Sequence, residues 1–323
     1  MSRTYGITHF YHSGFTVTND DTMLVFDYWR GEEGELTGRL ALSDEQVAAF
    51  AHVYVFISHE HIDHLDPIVF TWKNLTDVSY IVSSDMPVGT RGKRMAPGDT
   101  LTLAEDITVT AFDSTDLGVS FLVHFRELSV FHAGDLNFWH WREESTMQEI
   151  EEADAEFRKA VAPISRELID VAFFPLDPRQ GSMFESGANY FLMAVKPRIM
   201  VPMHYFHRTD VAMDYARTAS NRATEVIAMP GFRETMLITV DDDGYLNLQP
   251  GPEEPVPGAE AASDAGSPEN PGSSAEDPAE LSEDGSLIND PFSETDLPVS
   301  MLSDPPEEGT DKPANPAPAS DSP

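Results

Sequence analysis

A run of six residues that follows a short apolar segment constrains this chain more than any other feature. Residues 53–57 have the composition of a buried strand, and the run after them carries the side chains of His59, Glu60, His61, Asp63 and His64. Imidazole nitrogens and carboxylate oxygens are the usual ligands of zinc, manganese and iron, and ligands so close in sequence can converge on one ion. A solvated loop that happens to hold histidines is the competing interpretation. The order of these residues directly after a buried strand favours the metal site.

The composition of the chain sets its general class. It has 323 residues, enough for one large or two modest domains, and its 41% hydrophobic content is ample for a core. It contains no cysteine, which excludes disulfides, thiolate catalysis and metal sites that use cysteine sulfur.

The end of the chain differs from the rest. From residue 251 onward it contains eighteen Asp and Glu, one Lys and fourteen of the 24 prolines. Such a segment cannot bury enough apolar surface to offset its chain entropy, so we expect a folded domain over residues 1–249 and a disordered tail over 250–323. The tail is either an acidic solubilising extension, which we favour, or a docking segment for a protein partner through its apolar islands at 287–293 and 297–302.

The folded part is acidic as well, because the tail carries only about half of the net charge of −36. An acidic surface gains no counterion release from nucleic acid and is not attracted to anionic membranes, so neither partner is expected. A small-molecule substrate is expected instead, and a metal centre would attract an anionic one locally. The sequence has no apolar signal segment and no apolar run of about twenty residues, so we expect a cytoplasmic protein. A homo-oligomer is left open.

Short β-like runs dominate the first half of the sequence, and helices are interspersed in the second half. Helices are predicted over 43–50, with Ser43 as N-cap, and over 143–161, 185–195 and 210–220, the last with Asp210 as cap. The predicted strands are 5–10, 14–17, 22–26, 53–57, 78–82, 100–103, 107–112, 119–125, 128–132, 171–175, 199–202, 226–229 and 234–240. This order indicates two packed sheets flanked by helices.

Two further ligand candidates lie far from the first run in sequence. Asp135 comes just after the predicted strand 128–132, and His204 comes just after the predicted strand 199–202. Side chains at strand ends are held rigidly while the adjoining loops stay open to a substrate. Both residues are therefore candidates for the same site as the histidine run.

These motifs together resemble the metallo-β-lactamase superfamily, whose signature is His-x-His-x-Asp-His. The resemblance consists of the signature at 59–64, a Gly-Asp pair at 134–135 and Pro-Met-His-Tyr at 202–205, and it extends from about residue 5 to residue 240. The segments 11–15, 25–27, 174–177, 181–183 and 196–198 resemble the branch that contains the L-ascorbate-6-phosphate lactonase-like hydrolases.

The resemblance implies a fold and a ligand set. The fold is a four-layer αββα sandwich with a site for two divalent metal ions (zinc, manganese or iron) at one edge. In such enzymes the first metal takes His59, His61 and a third histidine. The second takes Asp63, His64 and His204, and Asp135 bridges the two metals.

This sequence departs from the family at the third histidine. The loop that usually supplies it reads Asp-Ser-Thr-Asp-Leu-Gly here, from Asp113 to Gly118. Asp113 or Asp116 could supply an oxygen ligand, and we favour Asp116 because it lies nearer the far end of the loop. A carboxylate in this place shifts the preference from zinc toward manganese or iron. Loss of the first metal is the alternative.

The ligand set predicts hydrolytic chemistry. Two cations about 3.5–4 Å apart can share a hydroxide and polarise the oxygen under attack, so no protein nucleophile is needed. Asp135 would fix the metal pair and Asp63 could orient the hydroxide, which makes these two the candidate catalytic residues. Asp27 or Asp66 are candidate partners for the outer nitrogens of the ligand histidines.

Other residues have weaker signals. His12 and His207 are each as consistent with an ordinary turn or surface role as with a pocket, and His132 is expected to be a hydrogen-bonded core residue. The aromatic stretch Trp139–Trp141 is expected to pack in the core, with a pocket wall as the alternative. Arg179 and Arg208 are candidates for binding an anionic group.

The predicted function is a metal-dependent hydrolase that uses a metal-bound hydroxide on a small ester, lactone or phosphoester. The alternatives are a non-catalytic or regulatory member of the fold with an incomplete metal site, and a nuclease of the same fold. The acidic body and the lack of a basic accessory region argue against the nuclease.

Overall fold

The computed structural model describes residues 2–32 and 35–252. The predicted tail therefore lies, from residue 253 onward, outside the described residues. Within the described part the chain forms two β-sheets, four α-helices and several short 3₁₀ helices. None of these helices is long and apolar enough to cross a membrane.

Fifteen strands occur among the described residues. They are β1 (Arg3–His9), β2 (Phe15–Asn19), β3 (Thr22–Phe26), β4 (His52–Ile57), β5 (Asp77–Ser83), β6 (Lys93–Met95), β7 (Thr100–Ala104), β8 (Ile107–Phe112), β9 (Ser120–Phe125), β10 (Leu128–His132), β11 (Val171–Pro175), β12 (Ile199–Met203), β13 (Glu225–Val226), β14 (Glu234–Val240) and β15 (Leu246–Pro250). One sheet has the order β15-β14-β1-β2-β3-β4-β5-β6, and the other has the order β13-β12-β11-β10-β9-β8-β7.

The α-helices of the described residues are α1 (Asp44–Ala48), α2 (Met147–Ile164), α3 (Ser186–Ala194) and α4 (Thr209–Ala219). Helix α1 and the 3₁₀ helix Pro67–Asn74 cover the outer face of the first sheet, where Val47 and Trp72 share a buried cluster with strand residues. Helices α2 and α3 belong to the larger cluster, which includes the second sheet. This arrangement confirms the predicted four-layer αββα sandwich.

The central strands of the first sheet are buried on both faces. In β3, Met23 and Val25 point into the cluster under α1, whereas Leu24 and Phe26 point into the cluster between the sheets. Successive side chains of a strand face opposite sides, so a strand covered on both faces must be apolar throughout. This explains why the segments before the site residues are continuous apolar runs.

Most predicted elements agree with the structure, but two helix starts were wrong. Helix α2 begins at Met147 rather than at residue 143, because Thr146 and Glu149 form a capping box there. Asp210 is not the cap of α4, since it lies in the first turn and pairs with Arg208 at 2.8 Å. Ser43 is confirmed as the N-cap of α1. The last predicted strand before β14 is only two residues long, and β6 and β15 were not predicted.

The topology brings many strand ends to one place. In the first sheet β1, β3 and β4 run in the same direction, and in the second sheet β8, β10, β11 and β12 do the same. The loops that follow the carboxyl ends of these strands meet at one edge of the sandwich. Ligands in open α/β folds bind outside the carboxyl ends of the strands.

We expect the contact between the sheets to be critical for stability. Phe173 of β11 stacks on Phe15 of β2 with a ring separation of 4.0 Å, and both side chains are fully buried. Phe173→Ala should lower the free energy of unfolding by about 3–5 kcal/mol, measured by urea denaturation followed by circular dichroism. Phe173→Leu should lose less. An unchanged urea midpoint for the alanine variant would show that this contact does not hold the sheets together.

Candidate metal centre

Each side chain of the site follows the carboxyl end of a different strand. His12 comes after β1, Asp27 after β3, the run 59–64 after β4, Asp116 after β8, Asp135 after β10, Asp177 after β11 and His204 after β12. The rigid sheets thus position side chains that are far apart in sequence.

Asp135 lies at the middle of this cluster, and its two oxygens face different histidines. Its Oδ2 is 3.3 Å from His59 Nε2 and 3.9 Å from His61 Nδ1. Its Oδ1 is 3.0 Å from His64 Nε2 and 3.2 Å from His204 Nε2. The side chain of Asp135 is 6% exposed, so the carboxylate is held within the protein rather than by solvent.

The ligand candidates form three overlapping groups: two share Asp135, and the third joins His12, Asp63, His64 and His204. Ligand atoms of His61, Asp116 and Asp135 lie within 4.8 Å of one another, and those of His59, His64 and Asp135 do so as well. We call the side with His59, His61 and Asp116 the first half of the site. The side with Asp63, His64 and His204 is the second half.

The inner imidazoles are oriented by partners behind them. His64 Nδ1 is 2.8 Å from Asp27 Oδ2, and His59 Nδ1 is 2.9 Å from the hydroxyl of Ser58. Ser58 donates its hydroxyl proton to Asp27 at 2.6 Å, so it accepts the proton of His59 Nδ1. With Nδ1 protonated in both rings, each Nε2 presents a lone pair toward Asp135.

The third inner imidazole is oriented from the second sheet. His204 Nδ1 is 3.0 Å from Asp177 Oδ2, and Arg179 pairs with the same carboxylate at 2.6 Å. Burial raises the pKa of Asp177, but the contacts with His204 and Arg179 outweigh it and lower this pKa to about 2. Asp177 is therefore ionised and accepts the Nδ1 proton of His204, which leaves its Nε2 directed at Asp135.

The imidazole nitrogens and the carboxylate oxygen that face each other in this cluster need a positive charge between them. The Nε2 atoms of His64 and His204 and the Oδ1 of Asp135 are buried and have no well-aligned hydrogen bond, although Oδ1 lies 3.0 Å from the first nitrogen and 3.2 Å from the second. Lone pairs that face each other at this distance repel unless a cation lies between them. The donor set of imidazoles and carboxylates fits divalent zinc, manganese or iron.

The pKa shifts within the cluster agree with this interpretation. Burial favours the neutral form of each group, yet the facing imidazoles hold the pKa of Asp135 well below its ordinary range. The same carboxylate, with Asp27 and Asp177, raises the pKa of His64 and of His204 against the effect of burial. These two rings therefore bind a proton more readily than a free imidazole does, in the places that a metal ion would take.

The loop in place of the usual third histidine brings Asp116 to the first half of the site. The loop is held by Thr115, whose hydroxyl accepts a 2.9 Å hydrogen bond from the backbone of Asn137. At its end Gly118 has a φ of +81°, and a Cβ there would meet Ser58 O at 2.0 Å. Asp113 is not among the groups of ligand candidates. Coordination by Asp116 stays a prediction.

The cluster opens into a cleft of about 420 Å³. The cleft is lined by His61, Asp63, Thr115, Asp116, Asp135, Trp139, Trp141, Arg179 and His204. The expectation that the aromatic stretch packs in the core was wrong for its tryptophans, because Trp139 donates its indole N–H to Asp135 O at 2.7 Å and stacks on Trp141 at the wall. His140, between them, is buried.

Four other candidate residues do not line the cleft. His132 is confirmed as a core residue, buried and 2.8 Å from Ser13 O. Asp66 is not an orienting partner, since it pairs with Arg30 at 2.6 Å and caps the 3₁₀ helix Pro67–Asn74. His207 is 64% exposed and contacts Tyr11. Arg208 pairs with Asp210 and does not line the cleft.

Two residues of the site had no clear signal in the sequence. Asp177 lies in a segment of the family resemblance, but nothing in that segment indicates its role. The pairing of β11 with β12 brings it beside His204. His12 is fully buried, and burial lowers its pKa to about 3, so its ring is neutral. Its Nε2 is 3.2 Å from Asp63 Oδ2, which places it in the second half.

Comparisons with known proteins agree with this arrangement. No protein-family profile matches the chain. A protein of Pyrobaculum calidifontis named UPF0173 metal-dependent hydrolase is 27% identical over 219 residues, which cover 62% of this chain and 83% of the relative. One of the same name from Pyrobaculum neutrophilum is 27% identical over 246 residues, covering 70% and 97%.

Solved structures show the fold. Igni18, a metallo hydrolase from Ignicoccus hospitalis, aligns with a TM-score of 0.54 and 18% identity over 72% of this chain and 98% of its own. A protein from Parabacteroides distasonis, provisionally named as a metal-dependent hydrolase, aligns with a TM-score of 0.52 and 20% identity over 71% and 94%.

Metal binding should release protons. Because the pKa values of His64 and His204 are raised, both rings are protonated below their shifted pKa and must lose a proton to bind a metal. Metal affinity should rise with pH through this range. Calorimetry near pH 6.5, in buffers of different ionisation enthalpy, should detect release of about one proton or more per chain.

The variant Asp27→Asn tests the origin of these protons. Loss of the Asp27 carboxylate should lower the pKa of His64, so fewer protons should be released than in the unchanged chain. Equal heats in all buffers for the unchanged chain would show that the rings are already neutral, contrary to this expectation.

Proposed function

We propose that this chain, a metal-dependent hydrolase of the metallo-β-lactamase superfamily, hydrolyses a small ester, lactone or phosphoester at a two-metal centre. One observation carries the proposal. The two oxygens of the buried Asp135 face separate groups of imidazoles, and both groups adjoin the same cleft. A carboxylate in this position suits a bridge between two cations.

Each half of the site would hold one of the two ions. His59, His61 and Asp116 would hold the first ion, and Asp63, His64 and His204 would hold the second. Divalent ions bound there would supply Lewis acidity, polarising a carbonyl or phosphoryl oxygen and lowering the pKa of a coordinated water. The orienting carboxylates Asp27 and Asp177 would keep the rings aligned.

Asp63 is the residue best placed to handle a proton. Its side chain is 20% exposed and lines the cleft, whereas Asp135 is almost fully buried. Burial raises the pKa of Asp63, but the contact with His12 and the nearby imidazoles lower it below its ordinary range. Asp63 is therefore ionised, and it would accept a hydrogen bond from the attacking water and orient it.

The wall of the cleft supports a substrate with a flat or apolar part and an anionic part. The stacked indoles of Trp139 and Trp141 offer an apolar surface, and Arg179 supplies a positive charge on the same cleft. The guanidinium of Arg179 is oriented by Asp177 and by the ring of Phe206, 4.4 Å from its centroid. These contacts hold the charge in place without a substrate.

Removal of central ligands should abolish hydrolysis. The chain should be assayed with lactones, phosphodiesters and phosphomonoesters in the presence of manganese, zinc or iron. His61→Ala and Asp135→Asn should each reduce the turnover by at least about a hundredfold, because a ligand of the Lewis acid is lost. His124→Ala, an exposed change on β9, is the matched control. Undiminished turnover in both site variants would place the chemistry elsewhere.

Asp116 and Asp113 form a matched pair within one loop. Asp116→Asn should weaken the binding of one of the two metals about tenfold or more, because the amide is a poorer ligand than the carboxylate. Asp113→Asn should leave both affinities unchanged, since Asp113 is exposed and its carboxylate accepts a hydrogen bond only from the backbone N–H of Ser114 in the described structure. Competition with a chelating dye measures both. A larger loss for Asp113→Asn would reverse the assignment.

A further inference from the structure

His12 is a buried histidine that lacks ordinary partners. Its side chain is fully buried, and neither ring nitrogen makes a well-aligned hydrogen bond among the described residues, although Nε2 lies 3.2 Å from Asp63 Oδ2. The ring lies between those of His204, at 3.9 Å, and Phe206, at 4.1 Å. A buried polar group without a hydrogen bond destabilises the folded chain, so a partner other than a protein hydrogen-bonding group is indicated.

The backbone holds His12 in a strained position beside the metal centre. Its φ is +55°, in the left-handed region that only a few per cent of residues other than glycine adopt, although histidine is enriched there with asparagine and aspartate. The tight loop around it is closed by a hydrogen bond from Phe10 N to Gly14 O at 2.9 Å. His204 N donates to His12 O at 3.1 Å, so the loop is tied directly to a strand end of the second sheet. Strain of this kind is often found where a side chain is held for function.

We propose that His12 is an additional ligand in the second half of the metal centre. Ligand atoms of His12, Asp63, His64 and His204 all lie within 4.8 Å of one another, and three of these four residues are buried. This inference rests on the proposed two-metal centre and adds to it. It also gives one of the two buried ring nitrogens of His12 a partner.

The assignment makes the two halves chemically different. The second half then has three imidazoles, from His12, His64 and His204, together with Asp63 and one oxygen of Asp135. The first half has two imidazoles, from His59 and His61, together with Asp116 and the other oxygen of Asp135. Imidazole suits zinc, whereas carboxylate oxygen suits manganese. The structure therefore assigns zinc to the second half and a harder ion such as Mn²⁺ to the first.

A purely orienting role is the opposing interpretation. His12 Nε2 is 3.2 Å from Asp63 Oδ2, so the ring could hold this carboxylate by a hydrogen bond and leave the metal to the other residues. Such a role would leave the number of imidazoles on the metal unchanged. A count of the imidazole ligands separates the two roles.

The experiment uses the full chain, freed of metal and then loaded with one equivalent of Zn²⁺. X-ray absorption at the zinc edge should detect three imidazoles in the unchanged chain and two in His12→Asn. Asparagine is chosen because it tolerates a positive φ. Titration against a chelating dye should show that His12→Asn weakens the tighter zinc site about tenfold or more, while His124→Asn, a matched exposed change, has no effect.

Added Mn²⁺, followed by electron paramagnetic resonance, should bind to the zinc-loaded unchanged chain at the other half. Two imidazoles in the unchanged chain, or equal zinc affinity in His12→Asn, would overturn the assignment of His12 but not the metal centre. An unchanged chain that binds no metal would instead contradict the proposed function. Circular dichroism of the metal-free variant checks its fold, and if it does not fold, the imidazole count of the unchanged chain decides alone.

Discussion

The buried carboxylate of Asp135 is the group on which the rest of the site depends. An ionised carboxylate loses its hydration when it is buried, and it must be compensated by positive charge or by hydrogen bonds. Here the compensation comes from imidazoles on both sides, within 3.3 Å of its two oxygens. The ring nitrogens that face it can exchange a proton for a metal ion, so a cation on each side would satisfy both partners at once. This single constraint links the buried position of Asp135 to a metal-dependent activity.

The fold supplies the orientation that this arrangement needs. Asp27 follows a strand of the first sheet and aligns His64, whereas Asp177 follows a strand of the second sheet and aligns His204. The site thus lies where the two sheets meet, and the buried stacking of Phe15 on Phe173 joins these sheets in the core. A shift of one sheet relative to the other would separate the two sets of imidazoles. Packing between the sheets is therefore needed to position the groups of the site.

The sequence predicted those parts of the site that depend on local order. The run 59–64 was recognisable because its ligands are close together, and Asp135 and His204 were recognisable because each follows an apolar strand. The contacts that come from the meeting of distant loops were not predictable. Asp27 and Asp66 were equal candidates for orienting a ligand histidine. Asp66 is close to the run in sequence, yet it pairs with Arg30. Asp27 is the residue that contacts His64. Nothing in the local sequence distinguishes these two.

The sequence also could not place residues whose type suits more than one environment. Trp139 and Trp141 are as apolar as core residues, and only the position of the loop after β10 places them on the cleft. His12 lies in a turn whose sequence is compatible with a surface histidine, and its burial results from the contact of that turn with the loop around His204. For Asp116, the position in the loop predicted a place near the site. Its closeness to His61 and Asp135 depends on tertiary structure.

The most direct test of this account is a crystal structure of the chain grown with excess Zn²⁺ and measured at the zinc absorption edge. The account predicts two anomalous peaks, one on each side of the Asp135 carboxylate, with the first near Asp116 and the second near His12. A single peak, or peaks that do not contact Asp135, would contradict the claim that this carboxylate joins two metal sites.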